Sequence, residues 1–223
     1  MDWSFNTIWF DQLDPDKVYK KDYKEKVSLA DNFVNSEYAI LWYYKSKAAS
    51  LDSLEKSDKL LYLELNSANI FDFKGIERYE NLKRLELHYC TKLKSDLGLK
   101  ALRQTLQILH IDQSKQFIPT DELTQLKELK SLRLNSCSPI DNLHFLYSFP
   151  KLIDFRFVNT NVVTGDLTPI LSHPTIRSVG FSNKRHYNYT SQQLEIELSK
   201  KSTKEYREVQ YNGEYSTFKY KSD

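Results

Sequence analysis

The sequence predicts an α/β solenoid, with a parallel β-sheet on a concave wall and short helices or turns on the convex wall. Three observations predict it. A phrase of apolar residues at positions one, four and six recurs at 22- to 24-residue steps, a period typical of stacked repeats. Within each phrase apolar and variable residues alternate, and a second apolar set at helical spacing follows. The phrase begins at Tyr38, Leu60, Leu82, Leu106, Leu129, Leu152 and Ile176.

Each repeat is predicted to contain a strand, a turn, a short helix and a return. Alternation such as Leu132-Arg133-Leu134 predicts a strand with one buried face. A single repeat buries too little apolar surface to fold alone, so the repeats must stack and their open ends need caps. The apolar sets predicted to line the inner side of the helical turns include Leu123, Leu126 and Leu129, and Leu143, Leu146 and Phe149.

These phrases resemble leucine-rich repeats. Leu82-x-x-Leu85-x-Leu87-x-x-Cys90 and Leu129-x-x-Leu132-x-Leu134-x-x-Cys137 match the family pattern, which has Asn or Cys at the ninth position, and the repeat length is similar to the internalin-like group. The resemblance covers residues 60–184, with 38–48 as a weaker first copy. It implies a parallel sheet that binds partners, without fixing which partner. The family's ninth residue is replaced at Ala68, Ser114, Thr160 and Lys184.

Both flanks are predicted to be caps, giving an N-terminal cap at 1–37, a solenoid at 38–184 and a C-terminal cap at 185–223. Alternating residues at 3–10 predict an edge strand, and Asp14-Pro15 predicts the start of a helix. The apolar side of that helix would comprise Val18, Val27, Ala30 and Phe33. The C-terminal cap is predicted to contain a helix at Ser191–Ser199, then strands Tyr206–Tyr211 and Glu214–Tyr220 around an Asn212-Gly213 turn.

Composition favours a soluble protein in a reducing compartment. The formal net charge is only +2, so neither nucleic acid nor a membrane surface is an expected partner. The N-terminus has no signal-peptide pattern, so we expect a cytoplasmic protein. Cys90 and Cys137 occupy the same position two repeats apart, about 10 Å by strand spacing, which is too far for a disulfide. No cofactor is expected.

The variable residues of stacked strands should form columns on the concave face. Counting from each phrase start, the fifth column passes from acidic residues (Glu64, Glu86) to basic residues (Arg133, Arg156), and aromatic residues gather in the first repeats. Aromatic anchors with charged neighbours are typical of protein interfaces. The residues expected to bind a partner are Trp42, Tyr44, Tyr62, Glu64, Arg84, Glu86, His88, Tyr89, His110, Asp112, Arg133 and Arg156.

Four of these residues, Glu86, His88, His110 and Asp112, should lie side by side on neighbouring strands. Such a group can bind a metal or act as acid and base, and it can equally form ion pairs on an open face. No nucleophile motif or phosphate-binding glycine loop accompanies it. The sequence therefore predicts no metal site and no enzyme, with a metal protein or hydrolase as a lesser alternative.

The sequence thus favours a non-catalytic module that binds another protein, in its sharpest form an immunity-type inhibitor of a bacterial toxin. An exported adhesion module is the main alternative, and it would require export. Arg133→Glu should weaken partner binding by charge reversal and leave folding almost unchanged, whereas Leu109→Asp should unfold the stack.

Overall fold

The computed structural model describes residues 1–25, 32–201, 207–213 and 215–220. Its main feature is an eight-stranded parallel sheet in which the strands follow one another in chain order. This arrangement is the leucine-rich repeat solenoid that the sequence predicts. The strands are β1 (Val18–Asp22), β2 (Tyr38–Trp42), β3 (Tyr62–Asn66), β4 (Arg84–His88), β5 (Ile108–Asp112), β6 (Ser131–Asn135), β7 (Asp154–Arg156) and β8 (Ser178–Gly180).

The opposite wall consists mostly of 3-10 turns. The predicted inward sets are confirmed as buried, including Leu123, Leu126, Leu143 and Phe149. A 22- to 24-residue repeat leaves room for only one tight turn between strands, which explains why most of these segments are 3-10. The turns are Ile76–Arg78, Leu99–Leu102, Leu123–Gln125 and His144–Ser148, and helix α1 (Thr168–Ser172) takes the same place in the next repeat.

A left-handed residue ends most strands and redirects the chain into the core. Ser67, Tyr89 and Gln113 have φ between 54° and 57°, and the N–H of each donates to a carbonyl of the next strand, as from Tyr89 to Asp112 at 3.0 Å. The following residue then points inward. Cys90 contacts the Leu65 carbonyl at 3.6 Å, so it satisfies buried backbone as the ninth position requires.

The same role falls to Cys137 and Thr160. The Cys137 thiol lies 3.5 Å from the Ile111 carbonyl, and the Thr160 hydroxyl donates to the Leu134 carbonyl at 2.7 Å. The prediction that Cys90 and Cys137 are unpaired is confirmed. Burial raises the pKa of each thiol to about 12, which makes both poor nucleophiles.

The predicted N-terminal cap is wrong in its local structure. Asp14 and Pro15 begin only a 3-10 turn, Pro15–Lys17, and the chain then enters β1, which pairs with β2. The burial of Tyr19 against Phe33, with ring centroids 5.4 Å apart, favours this extra edge strand over a helix. Phe33 lies in a second 3-10 turn, Phe33–Asn35. Val27 and Ala30 lie outside the described residues.

Residues 3–10 do not form the predicted edge strand either. They cross the concave face of the sheet, where Phe5 makes a single isolated bridge to Lys219, and a 3-10 turn at Phe10–Gln12 follows. The place beside β2 that a strand at 3–10 could have taken is occupied by β1.

The C-terminal prediction is confirmed in its elements. Helix α2 (Ser191–Ser199) begins with a capping box between Thr190 and Gln193. Strands β9 (Arg207–Asn212) and β10 (Tyr215–Tyr220) form the hairpin, with Asn212 paired to Tyr215. The turn is therefore one residue later than predicted, and Gly213 takes its left-handed backbone at φ 63°. Tyr206 and Glu214 lie outside the described residues.

The longest helix in the described part of the chain is α2, with nine residues, and none there could span a bilayer.

Candidate functional site

Strand register places the variable residues in three columns on the concave face. The predicted line of Glu64, Glu86, His110 and Arg133 is confirmed, because each residue pairs with the next across β3 to β6. The fifth column continues to Arg156 and Gly180. The third column comprises Tyr38, Tyr62, Arg84, Ile108, Ser131, Asp154 and Ser178, and the seventh begins Trp42, Asn66, His88, Asp112 and Asn135.

The first repeat is two residues out of the predicted register. Tyr38 pairs with Tyr62 and Trp42 pairs with Asn66, so Trp42 belongs to the seventh column and Tyr44 to the inward ninth position. Tyr44 is accordingly 2% exposed, and its hydroxyl donates to the Ser50 carbonyl at 3.1 Å. The prediction that Tyr44 faces a partner is wrong, because the spacing of Tyr38 and Leu41 imitates the phrase.

The half of the concave face at the beginnings of the strands, here called the strand-start half, is covered by other segments of the same chain. Residues 1–13 and β10, together the terminal latch, lie over the third column, which is buried except at Ser178. Arg84 anchors the latch by donating to the carbonyls of Trp3 at 3.1 Å and Asn6 at 3.0 Å, and also to that of Phe5. A second small core forms beneath the latch around Leu13, Tyr38, Ile40 and Tyr62.

The two parts of the latch are joined to each other. The Asn6 N–H donates to the Phe218 carbonyl at 2.7 Å, and the Thr7 N–H donates to the Thr217 hydroxyl at 2.9 Å. The Lys219 ammonium lies 3.0 Å from the Asp2 carboxylate. The strand-start half is thus closed by contacts between opposite ends of the described chain.

The latch reduces the exposure of several residues that the sequence predicts to contact a partner. Tyr62 is 2% exposed and packs against Phe10, while Arg84 and Glu86 are also buried. Arg133 donates to Asn6 Oδ1 and to the Tyr220 hydroxyl, and lies 3.6 Å from Asp154. The expectation that these four residues form an open face is wrong, because Tyr62, Arg84 and Arg133 contact the latch and the Arg133 side chain is only 11% exposed. Glu86 is buried beside Arg84.

Glu86 is the centre of a buried charge network. Arg84 donates to its Oε1 at 2.6 Å, while His88 Nε2 and His110 Nδ1 lie 3.0 Å and 3.5 Å from its Oε2. Burial alone would raise the pKa of Glu86, but Arg84 and hydrogen bonds from His110 and His88 hold it well below its ordinary value. The carboxylate therefore stays ionised within the fold.

The proton arrangement of this cluster matches an ion-pair network better than a metal site. Glu86, His88 and His110 each offer a ligand atom within 4.8 Å of the others. However, the Asn135 carbonyl oxygen accepts from the Val158 N–H at 3.0 Å, so its amide NH₂ faces His110 Nε2 at 3.3 Å. That contact requires the proton of neutral His110 on Nδ1, where a metal would bind. A metal would also lie close to the Arg84 charge.

The strand-end half of the face is open. Trp42, Asn66, His88 and Asp112 are partly exposed there, and Tyr89 is 59% exposed on its left-handed turn. Glu64 and Arg156 remain partly exposed in the fifth column, each held by a neighbour: Asn66 donates to Glu64 at 2.7 Å, and Arg156 donates to Asp154 at 3.1 Å.

A groove of about 460 Å³ adjoins this half and is lined by Lys45, Asn69, Tyr89 and Lys92 among others. The sequence prediction did not include Lys45 and Lys92, because they lie beyond the strand, where the phrase assigns no facing direction. Their charge beside an exposed tyrosine is the signal that would have identified them.

No family model matches the chain, and no curated protein matches it in sequence. Among solved structures the chain is similar to an internalin from Listeria monocytogenes, with 16% identity and a TM-score of 0.33. The match covers 70% of this chain and 58% of the internalin chain. At that level of similarity, the internalin's partners do not transfer to this chain.

Proposed function

We propose that the protein is a non-catalytic module that binds another protein through the strand-end half of its concave face. One observation carries the proposal: the Tyr89 ring is 59% exposed on a backbone held at φ 56°, beside a row of partly exposed residues. A large aromatic ring on a rigid turn offers contact area at low entropic cost. Such rings are typical anchors of protein interfaces.

The charges around Tyr89 favour a partner with an acidic patch. Lys45 and Lys92 line the groove beside the ring, while the charges of Glu86 and Arg84 are already paired beneath the latch. Neither lysine has an ion-pair partner within the part of the chain that the structure describes. Charged residues at the rim of an interface steer association and set orientation more than they add affinity. Trp42 and His88 then extend the contact along the seventh column.

The narrower form of the proposal is an immunity-type inhibitor of a bacterial toxin. Its support is that one continuous sheet runs from β1 to β8 through most of the described chain, so most of the described residues build a single surface. An exported adhesion module would use the same surface, and the identity and location of the captured partner distinguish the two.

Photo-crosslinking tests the location of the surface directly. A photoreactive amino acid at position 89 should capture a specific protein in lysate of the source cell, whereas the same amino acid at position 147 should not. Tyr147 is a matched control, since it is 50% exposed and lies in the 3-10 turn His144–Ser148 on the other wall.

With the captured partner purified, Tyr89→Ala should weaken binding by at least about tenfold, as expected for an interface anchor. Tyr147→Ala should leave affinity unchanged, and neither variant should lose its cooperative melting. Equal affinities for Tyr89→Ala and the unchanged chain would contradict the proposal.

A further inference from the structure

A cavity of about 360 Å³ lies where the terminal latch meets the beginnings of β5 and β6. Trp3 and Asp2 contribute from the first residues of the chain, and Lys219 and Tyr220 contribute from β10. The remaining wall comes from three neighbouring repeats, including Gln107, Ile108 and Lys130. The cavity is separate from the strand-end half of the face, so a ligand bound in it is independent of the proposed function.

Lys130 is the unusual residue in this cavity. It is 9% exposed, and its ammonium group has no hydrogen-bond or ion-pair partner within 1–25, 32–201, 207–213 and 215–220. The other lysines of the lining are paired, Lys219 with Asp2 at 3.0 Å and Lys151 with Glu128 at 2.7 Å. Most of the Lys130 side chain is thus buried, while its ammonium stays accessible at the cavity and is available to pair with an anion.

The neighbours of Lys130 indicate which kind of ligand group would pair with its ammonium. The Gln107 side-chain amide also has no hydrogen bond among the described residues, and it lines the same cavity. Three lysines and two carboxylates leave a formal charge of +1 on the lining. A singly charged anion balances that charge, whereas a dianion such as phosphate would face Asp2 and Glu128.

We propose that this cavity binds a small organic monocarboxylate. Its carboxylate would pair with the Lys130 ammonium and accept from the Gln107 amide, while its carbon body packs against Trp3 and Ile108. The cavity volume is at the lower end for small-molecule sites, about 300–1,000 Å³. A ligand here touches both parts of the latch and three repeats, so binding should also stabilise the closed fold.

Calorimetric titration with benzoate as the probe tests the site. Benzoate should bind at millimolar concentration and raise the melting temperature, while benzamide, which has the same shape without the charge, and inorganic phosphate should do neither. Lys130→Met should weaken benzoate binding by at least about tenfold. Because methionine keeps the buried apolar stem and the Lys130 ammonium has no partner among the described residues, Lys130→Met should not lower the melting temperature. Lys115→Met, at an exposed lysine outside the cavity, should bind benzoate normally.

Three results would overturn the proposal: no benzoate binding to the unchanged chain, equal binding by Lys130→Met, or stronger binding of phosphate. A fourth concerns the chain itself, since Asp223 follows Tyr220 by three positions in the sequence and lies outside the described residues. Benzoate binding by Asp223→Asn alone would assign the partner of Lys130 to the chain's own carboxylate.

Discussion

His88 couples the open half of the face to the buried charges beneath the latch. Burial would lower the pKa of His88, but the hydrogen bond and charge of Glu86, together with the charges of Glu64 and Asp112, outweigh it and raise the pKa above its ordinary 6.5. A residue of the seventh column therefore carries positive charge at a higher pH than a free histidine. Partner contact and fold stability share this group.

The raised pKa of His88 predicts a pH-dependent stability. Because the folded pKa of His88 lies above its unfolded value, the contribution of His88 to the stability of the fold is fully present only below pH 6.5. That contribution is lost as pH rises through the folded pKa. The free energy of unfolding of the unchanged chain should therefore exceed that of His88→Gln most at about pH 6, by roughly 1 kcal/mol for each unit of pKa shift. Urea denaturation across the pH range measures it.

Asn66→Ala is the matched control, because Asn66 neighbours His88 across β3 and β4 and does not titrate. Its effect on stability should stay constant over the pH range in which His88 titrates. A difference between His88→Gln and the unchanged chain that is constant with pH would contradict the prediction.

At the residue level, the sequence predicts which way a side chain points better than it predicts how exposed that side chain is. Alternation identifies which side chains leave the core, and it placed Glu64, His110 and Arg156 in one column as observed. It cannot show what covers a side chain after it leaves the core. Apolar residues at outward positions, such as Ile40 and Ile108, were the available signal that the face is covered.

Arg133 lies on strand β6 and contacts the latch, so both elements determine how its replacement affects stability. The prediction made from sequence, that Arg133→Glu leaves folding almost unchanged, does not fit an arginine in contact with Asn6, Tyr220 and Asp154. Arg133→Glu should cost about 3–5 kcal/mol, because it removes one of the two arginines beside the buried Asp154 carboxylate and places a second negative charge there. Arg133→Lys should cost less.

Hydrogen exchange separates this effect from damage to the sheet. Arg133→Glu should expose the amides of residues 3–7 while the strands keep their protection, whereas Leu109→Asp, at a fully buried site of β5, should remove protection throughout. Unchanged urea stability of Arg133→Glu would show that its side chain reaches solvent.

The elements that sequence predicts well are those stabilised by contacts with the next repeat. Each repeat determines its own strand and turn, so β3 to β6 and α2 follow from local patterns. Residues 3–10 and β1 do not, because their conformation depends on which edge is already filled and on β10. An alternating segment such as Trp3 to Trp9 is compatible with pairing at several edges.

At the scale of the molecule, the latch joins the ends of a structure that otherwise has only neighbour contacts. In an open solenoid each repeat touches only the next, and unfolding can proceed in parts. Here the Thr7–Thr217 bond spans 210 residues and the Asp2–Lys219 pair spans 217. The first repeats therefore gain stability from the last.

This closure predicts coincident unfolding transitions. The chain's three tryptophans, Trp3, Trp9 and Trp42, all lie in the first 42 residues, so their fluorescence reports the first part and circular dichroism reports the whole. In urea the two signals should change together for the unchanged chain. In the double variant Arg84→Met with Glu86→Gln, the fluorescence transition should come first.

The double variant removes the three hydrogen bonds that Arg84 donates to the latch. The glutamine at position 86 keeps an amide oxygen that still accepts from His88. Glu86→Gln alone is the control, and it should keep the two signals together. Separate transitions in the unchanged chain would show that the latch does not couple the ends.

The closure also sets an order of events during synthesis. Residues 1–13 leave the ribosome about 200 residues before their partners in β10, which is roughly ten seconds or more at typical elongation rates. Throughout that interval residues 1–13 can pack on Tyr38, Ile40 and Tyr62, but the backbone N–H groups of Asn6 and Thr7 lack the acceptors that β10 provides. The nascent protein thus carries unpaired backbone groups that the finished one pairs, and a chaperone that binds extended backbone would meet them only in that interval.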